Sequence, residues 1–137
     1  MPSSLLIPDD IVITPPPNDL QEEIKRFFGK TGMWWGTWKS PQTKDGFETI
    51  LIINNIKDDA NVDIIYLVPD YPPWYVARSR HKANGWFLRK KNGRLSLLFP
   101  FHPFGYTMEC WFERQVLKGA VHRRFMSAYI ELKQLTP

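Results

Sequence analysis

The sequence predicts an all-β fold, an antiparallel up-and-down β-barrel of eight to nine strands preceded by a short N-terminal helix. Three observations carry that expectation. After Gly29 the hydrophobic period changes from about 3.6 to about 2 and holds that value to the end of the chain. Turn signals such as "PQTKDG", "KDDA", "KNG" and "HPFG" cut the alternating region into pieces of strand length. No stretch after residue 30 is long enough for the crossover helices that parallel strands require, so neighbouring strands must pair as hairpins.

Each element can be justified in order. Residues 1–17 end in "TPPP" and show no sustained period, which reads as an extended arm, with Leu5, Leu6, Ile11 and Ile13 available to cover an apolar surface. Residues 18–137 then form one barrel domain. In "NDLQEEIKRFFGK", Asn18 or Asp19 is a candidate N-cap and acids occupy the first turn. Leu20, Ile24, Phe27 and Phe28 follow at helical spacing, and Gly29 is a stop.

Residues 34–39 begin the first strand. "FETILIINNI" is the second, and its unbroken Ile50-Leu51-Ile52-Ile53 implies burial on both faces or a cover supplied by the helix. "NVDIIYLVP" is the third, ended by the prolines at 69–73, which donate no ladder hydrogen bond. "WYVARSRH" and "NGWFLRK" read as the fourth and fifth strands, "GRLSLLFPF" as the sixth, "YTMECWFE" as the seventh and "QVLKGAVH" as the eighth. "FMSAYIELKQL" is the last, with Met126, Ala128, Ile130 and Leu132 on one face.

A meander of this length hides its edges most simply by closing on itself. Within "TGMWWGTWKS", Trp34 and Trp38 are then expected to plug one barrel end, while Gly32 and Gly36 let the first strand coil sharply.

Gly32-Met33-Trp34 resembles the Gly-x-Trp that follows a short helical turn at the first strand of lipocalins. Trp34, Gly36 and Trp38 resemble the Trp-x-Gly-x-Trp of bacterial lipocalin-like domains. In layout, residues 20–134 are similar to a calycin. The last strand carries Lys133, with Arg123 and Arg124 at its approach, where lipocalins place an arginine over the motif tryptophan. The resemblance implies a calycin-like barrel whose cavity holds a small molecule.

Composition narrows the function classes. Aromatic residues make up 15% of the chain, more than bulk packing of a small domain needs, so either the core or a pocket is aromatic. The single cysteine, Cys110, excludes an internal disulfide framework and any cysteine-rich zinc site. The first thirty residues lack a basic start and a long apolar run, and a cytoplasmic address without a membrane span is expected. Residues 1–70 carry 6 Lys/Arg against 11 Asp/Glu, and residues 71–137 carry 12 against 3. That polarity suits either an anionic partner or head-to-tail self-association.

Phosphate-binding glycine loops, metalloprotease and nucleophile-elbow motifs are missing, and no cofactor is indicated. His81, His102 and His122 lie about twenty residues apart, too weak a pattern to assign a metal. The expected ligand-binding residues are Tyr66, Arg78, Arg80, Trp86, Tyr106, Met108, Cys110 and Phe112. The aromatic and thioether groups would supply an apolar wall, and Arg78 and Arg80 would pair a ligand carboxylate inside the barrel.

Glu109, flanked by Met108, Cys110 and Trp111, is the candidate general acid or base if it points inward. Cys110 as a nucleophile lacks a histidine close in sequence. Basic clusters "ARSRHK", "LRKKNGR" and "VHRR", interleaved with Trp74, Tyr75, Trp86 and Phe87, carry no RNA-recognition signature, and nucleic acid is the weaker partner reading. The expectation is therefore a binder of a small apolar or amphipathic, and in one version anionic, molecule. An isomerase or lyase using the same cavity, and a protein-interaction module, remain as alternatives.

Overall fold

In the computed structural model, which describes residues 5, 7–41, 46–122 and 127–135, eight antiparallel strands close into a barrel. They are β1 (Met33–Lys39), β2 (Glu48–Asp58), β3 (Asn61–Val68), β4 (Ser79–Arg89), β5 (Leu95–Phe101), β6 (Tyr106–Glu113), β7 (Val116–His122) and β8 (Ser127–Gln134). Each pairs with its neighbours in sequence, and β1 pairs with β8. The count settles at eight because the pieces read as fourth and fifth strands form the single β4. The first of them began too early, since "PPW" (Pro72–Trp74) is a 3₁₀ turn outside the barrel wall.

The helix is shorter than its sequence suggests. α1 spans Glu22–Lys25, and its N-cap is Gln21 rather than Asn18 or Asp19. Residues 17–20 are already spent on a turn closed by the Leu20 N–H donating to the Pro17 carbonyl. Beyond Lys25 the bonds tighten, Phe27 N–H to Ile24 and Phe28 N–H to Lys25, until Gly29 turns left-handed at φ 65°. This tight segment lays Ile24, Phe27 and Phe28 across one mouth of the barrel. Phe27 meets Phe87 and Phe112 edge-on at 5.0 Å and accepts a hydrogen bond on its carbonyl from Trp34 Nε1.

Trp34 and Trp38 both point inward, but they do not plug the same end. Four residues of strand separate them by roughly 13 Å, so Trp34 seals the helix mouth while Trp38 sits towards the opposite mouth against Phe101 and Phe104. Trp35, between them, points outward and donates to Glu48 Oε2. Gly36 is needed for a different reason from coiling. A Cβ there would lie 2.3 Å from the Glu131 carbonyl oxygen of β8, so only glycine lets the first and last strands approach closely enough to close the barrel. Gly36→Ala is expected to destabilise by about 1–3 kcal/mol as the two backbones part. A urea midpoint equal to that of the parent chain would show that the seam yields without strain.

The apolar run of β2 is buried on both faces, yet the cover on its outer face is the arm rather than the helix. Leu5, Ile7, Ile11 and Ile13 cross the outside of β2 and β3 and pack with Ile50, Ile52, Ile65 and Leu67. The Thr14 N–H donates to the Asn54 carbonyl at 2.7 Å, and Asp10 takes Arg80 in a two-pronged pair at 2.9 and 3.0 Å. Leu6 and Met126 lie outside the described residues. Part of the charge polarity of the sequence is satisfied within the molecule, because Asp10 pairs with Arg80 and Glu23 with Arg89 across the two halves. No helix among the described residues is long and apolar enough to cross a membrane.

Candidate functional site

A void wide enough for a water molecule leaves accessible surface on its walls. Ile53, Val68, Leu97, Phe99, Cys110 and Leu117 have none, so the middle of the barrel is filled by side chains, as an eight-stranded barrel allows. Tyr66, Met108, Cys110 and Phe112, expected to line a cavity, do come together, but as members of this core. Met108 and Cys110 fill the space that Gly119 leaves open, since a Cβ on Gly119 would fall 2.6 Å from Met108 Cε. Phe112 lies beneath Arg26, whose guanidinium carbon stands 4.0 Å from the ring centre.

Arg78, Arg80 and Trp86 are not inside the barrel. The register Tyr66↔His81 makes 79, 81, 83, 85 and 87 the inward positions of β4. Read as one continuous strand, "WYVARSRH" puts Arg78 and Arg80 in step with Trp74 and Val76, which do face inward, but Ala77 and Arg78 are both exposed and shift the alternation by one residue before Ser79. Arg80 is therefore occupied outside by Asp10, Arg78 is exposed, and Trp86 stands 38% exposed on the outer wall. Tyr106, at the start of β6, is 45% exposed.

Glu109 also faces outward. Its carboxylate accepts from Ser96 Oγ at 2.6 Å and Arg94 Nη2 at 3.0 Å, with Lys90 Nζ 3.6 Å away. Burial alone would push this carboxyl up, but the two hydrogen bonds and the two cations outweigh it and hold the group below its ordinary range. A carboxylate so held is a poor general acid and a weak base. Burial pushes the Cys110 thiol far up, with Glu109 adding to the effect, which removes the thiolate that a nucleophile needs.

The open space lies instead at the barrel end away from the helix. Two turns headed by proline fold over that mouth, Pro72–Trp74 after β3 and His102–Phe104 after β5. Each ends on a left-handed residue, Tyr75 and Gly105 (φ 69°). Proline presets the φ of such turns, and the left-handed residue returns the chain to the wall. Their aromatic rings drop into the mouth beside those of β1 and the β2 approach. Trp74 meets Phe47 at 5.7 Å and Phe104 at 6.0 Å, and Phe104 meets Trp38 at 5.1 Å. This layer, completed by Phe101, is the aromatic plug.

Between the plug and the ends of β7 and β8 remains a cleft of about 320 Å³ lined by Pro73, Trp74, Tyr75, Pro103, Phe104, Val121 and Ala128. Tyr75 is 97% exposed at its rim. Sequence reasoning had named Trp74 and Tyr75 only as neighbours of a basic cluster. The proline before each aromatic turn was the available signal.

Beside the mouth, the wall itself is incomplete. β4 and β5 pair only from Trp86↔Leu98 to Arg89↔Leu95, although β4 continues to Ser79 and β5 to Phe101. Tyr66 bridges the gap, its hydroxyl accepting from the His102 N–H at 2.7 Å and pointing at the Pro100 carbonyl 3.5 Å away. Burial raises the Tyr66 pKa, opposed by the His102 bond, so the phenol stays neutral and keeps its proton to donate. His81 stacks on Tyr66 at 5.0 Å and meets His102 at 5.1 Å.

Two of the three spaced histidines thus do converge, while the side chain of His122 and residues Arg123 and Arg124 lie outside the described residues. Among the described residues no three His, Cys, Asp or Glu groups are gathered as a metal centre would require. No protein-family model, no curated protein and no solved structure matches this chain.

Proposed function

We propose that the protein binds a small, flat apolar molecule non-covalently, and that the molecule sits in the cleft at the barrel mouth rather than in the barrel's centre. The observation that carries this reading is the cleft itself, a concave and almost wholly apolar space walled by Trp74 and Phe104. Its volume is at the small end of the roughly 300–1,000 Å³ usual for ligand sites. Rigid proline turns hold the two aromatic walls in place before any ligand arrives, which reduces the ordering cost of binding. A left-handed tyrosine at the rim fits the tendency of strained backbone to gather at ligand clamps. The likeness to calycins in strand layout, and the Gly32-Met33-Trp34 motif, favour the same class of function. With Arg78 and Arg80 outside the barrel, affinity comes from apolar contact and aromatic stacking, and an acidic group on the ligand is not required.

The test is a titration of tryptophan fluorescence with fatty acids, retinol, haem and 1-anilinonaphthalene-8-sulfonate. At least one of these apolar probes is expected to shift or quench the emission. Trp74→Ala, which opens one wall, is expected to weaken that binding about tenfold or more, equivalent to ~1.4 kcal/mol. Met108→Leu, in the filled centre, is expected to leave it unchanged. A panel that leaves the spectrum untouched, or equal affinity in the Trp74 variant, would overturn the proposal.

A further inference from the structure

We propose that the gap between β4 and β5 is an acid-sensitive seam, closed when His81 is neutral and opened when it takes up a proton. The reason for the gap is legible in the backbone. In an antiparallel ladder, the N–H and C=O of one residue point to the same neighbour. The Pro100 carbonyl points at Tyr66, on the β4 side, so its nitrogen faces that side too and has no proton to donate. The ladder therefore ends at Leu98, and residues 99–101 have no paired partner on β4. What holds the two strands together above that point is a stack of side chains: Tyr66 from β3, His81 from β4 and His102 from the turn after β5.

The surroundings of the His81 imidazole disfavour its charged form. Towards His81 stand the Tyr66 ring from β3, the Ser79 hydroxyl on its own strand, 2.7 Å from Nε2, and the His102 ring. The Ser79 hydroxyl donates onward to the Ala77 carbonyl. Arg80 and Lys82, on the alternate positions of β4, face the outer wall, where Arg80 is matched by Asp10. The His102 backbone N–H donates to the Tyr66 hydroxyl, which itself points at the Pro100 carbonyl. Among the described residues the charge that acts on His81 is that of His102, and no carboxylate opposes it.

Burial first, and the second imidazole next, lower the pKa of His81 from its ordinary value. A base whose pKa is depressed in the closed state binds protons more tightly once released. The closed seam is therefore fully favoured above about pH 6.5 and loses ground as pH falls below that value, by up to about tenfold in population for each pH unit. Because His102 starts the turn that carries Phe104, opening the seam moves one wall of the cleft. On the ligand-binding reading above, the same event releases the ligand in acid.

Amide hydrogen exchange of the ligand-free chain at pH 7.5 and 5.0, corrected for intrinsic rates, tests the seam independently of any ligand. The His102 N–H, held by the Tyr66 hydroxyl, and the Gly105 N–H, which closes the turn onto the Phe101 and His102 carbonyls, are expected to lose protection about tenfold or more at the lower pH, while the amides of β2 and β3 hold theirs. In the double variant His81→Gln with His102→Asn, the pH dependence is expected to vanish. Should that variant fail to fold, His102→Asn alone, at an exposed position, is expected to reduce it at least threefold. Equal protection at both pH values, or an acid response that persists undiminished in the variants, overturns the proposal. A seam that opens while no probe binds the cleft leaves the seam standing and sinks only the ligand reading.

Discussion

Trp38→Ala is expected to lower the unfolding free energy by about 3–5 kcal/mol, a large part of the roughly 5–15 kcal/mol that holds an ordinary domain together. Its side chain joins β1 to the start of β2, to β5 and to the turn after β5. The indole is fully buried, its ring packs against Phe47, Phe101 and Phe104, and its Nε1 donates to Thr49 Oγ1 at 2.9 Å. Truncation leaves a void where four elements meet and strands the Thr49 hydroxyl, itself buried, without its donor.

Trp38→Phe separates the two contributions. It keeps most of the ring and loses the hydrogen bond, and about 1–2 kcal/mol of destabilisation is expected. Urea midpoints at pH 7 measure both, and a loss below 1 kcal/mol for the alanine variant would mean that the mouth collapses around the missing ring instead of depending on it.

The same tryptophan shows what a sequence can and cannot convey. Hairpin order follows from local facts, a period of two and turns of fixed chemistry, and each of these sits within ten residues of chain. The all-β meander was legible for that reason. Direction into or out of the barrel is different, because it accumulates along a strand and one irregular residue resets it. Ala77 and Arg78, exposed in succession, did so between Val76 and Arg80, which moved two arginines from the interior to the surface.

The cleft was illegible for a further reason. Val121 and Ala128 face each other across the β7–β8 hairpin, but Trp74 and Phe104 reach them only by closure of the barrel, and no spacing rule relates those turns to that hairpin. The seam was within reach, however, since Pro100 inside "LSLLFPF" declares that one side of that strand has no donor for a neighbour. Charge asymmetry between the halves was real, but Asp10 with Arg80 and Glu23 with Arg89 direct part of it inward. Exposed pairs of this kind contribute little stability, and their effect is to fix where the arm and the helix lie.

Removing residues 1–17 is expected to make the protein self-associate. β2 carries Ile50 and Ile52 on its outer face and β3 carries Ile65 and Leu67, all four buried by the arm together with Leu135, Met33 and Trp35. Without Leu5, Ile7, Ile11 and Ile13, these side chains form a contiguous apolar patch on the wall of the barrel, of the kind that soluble monomers rarely expose. The Thr14–Asn54 backbone hydrogen bond and the Asp10–Arg80 pair also tie the arm down, and neither can replace the apolar contact. Burying each such side chain contributes about 1.5–3 kcal/mol, offset by ordering an otherwise extended segment. The net stability change is therefore smaller than the change in surface, and association is the more sensitive readout.

Sedimentation velocity across a tenfold concentration range is expected to show a rising sedimentation coefficient for the truncated chain and a steady one for the full chain. A synthetic peptide of residues 1–17 added in excess is expected to reverse the association, because it restores the same cover from outside. Identical sedimentation of the two chains would mean that β2 and β3 tolerate a bare outer face, and that the arm's isoleucines rest on the barrel without protecting it.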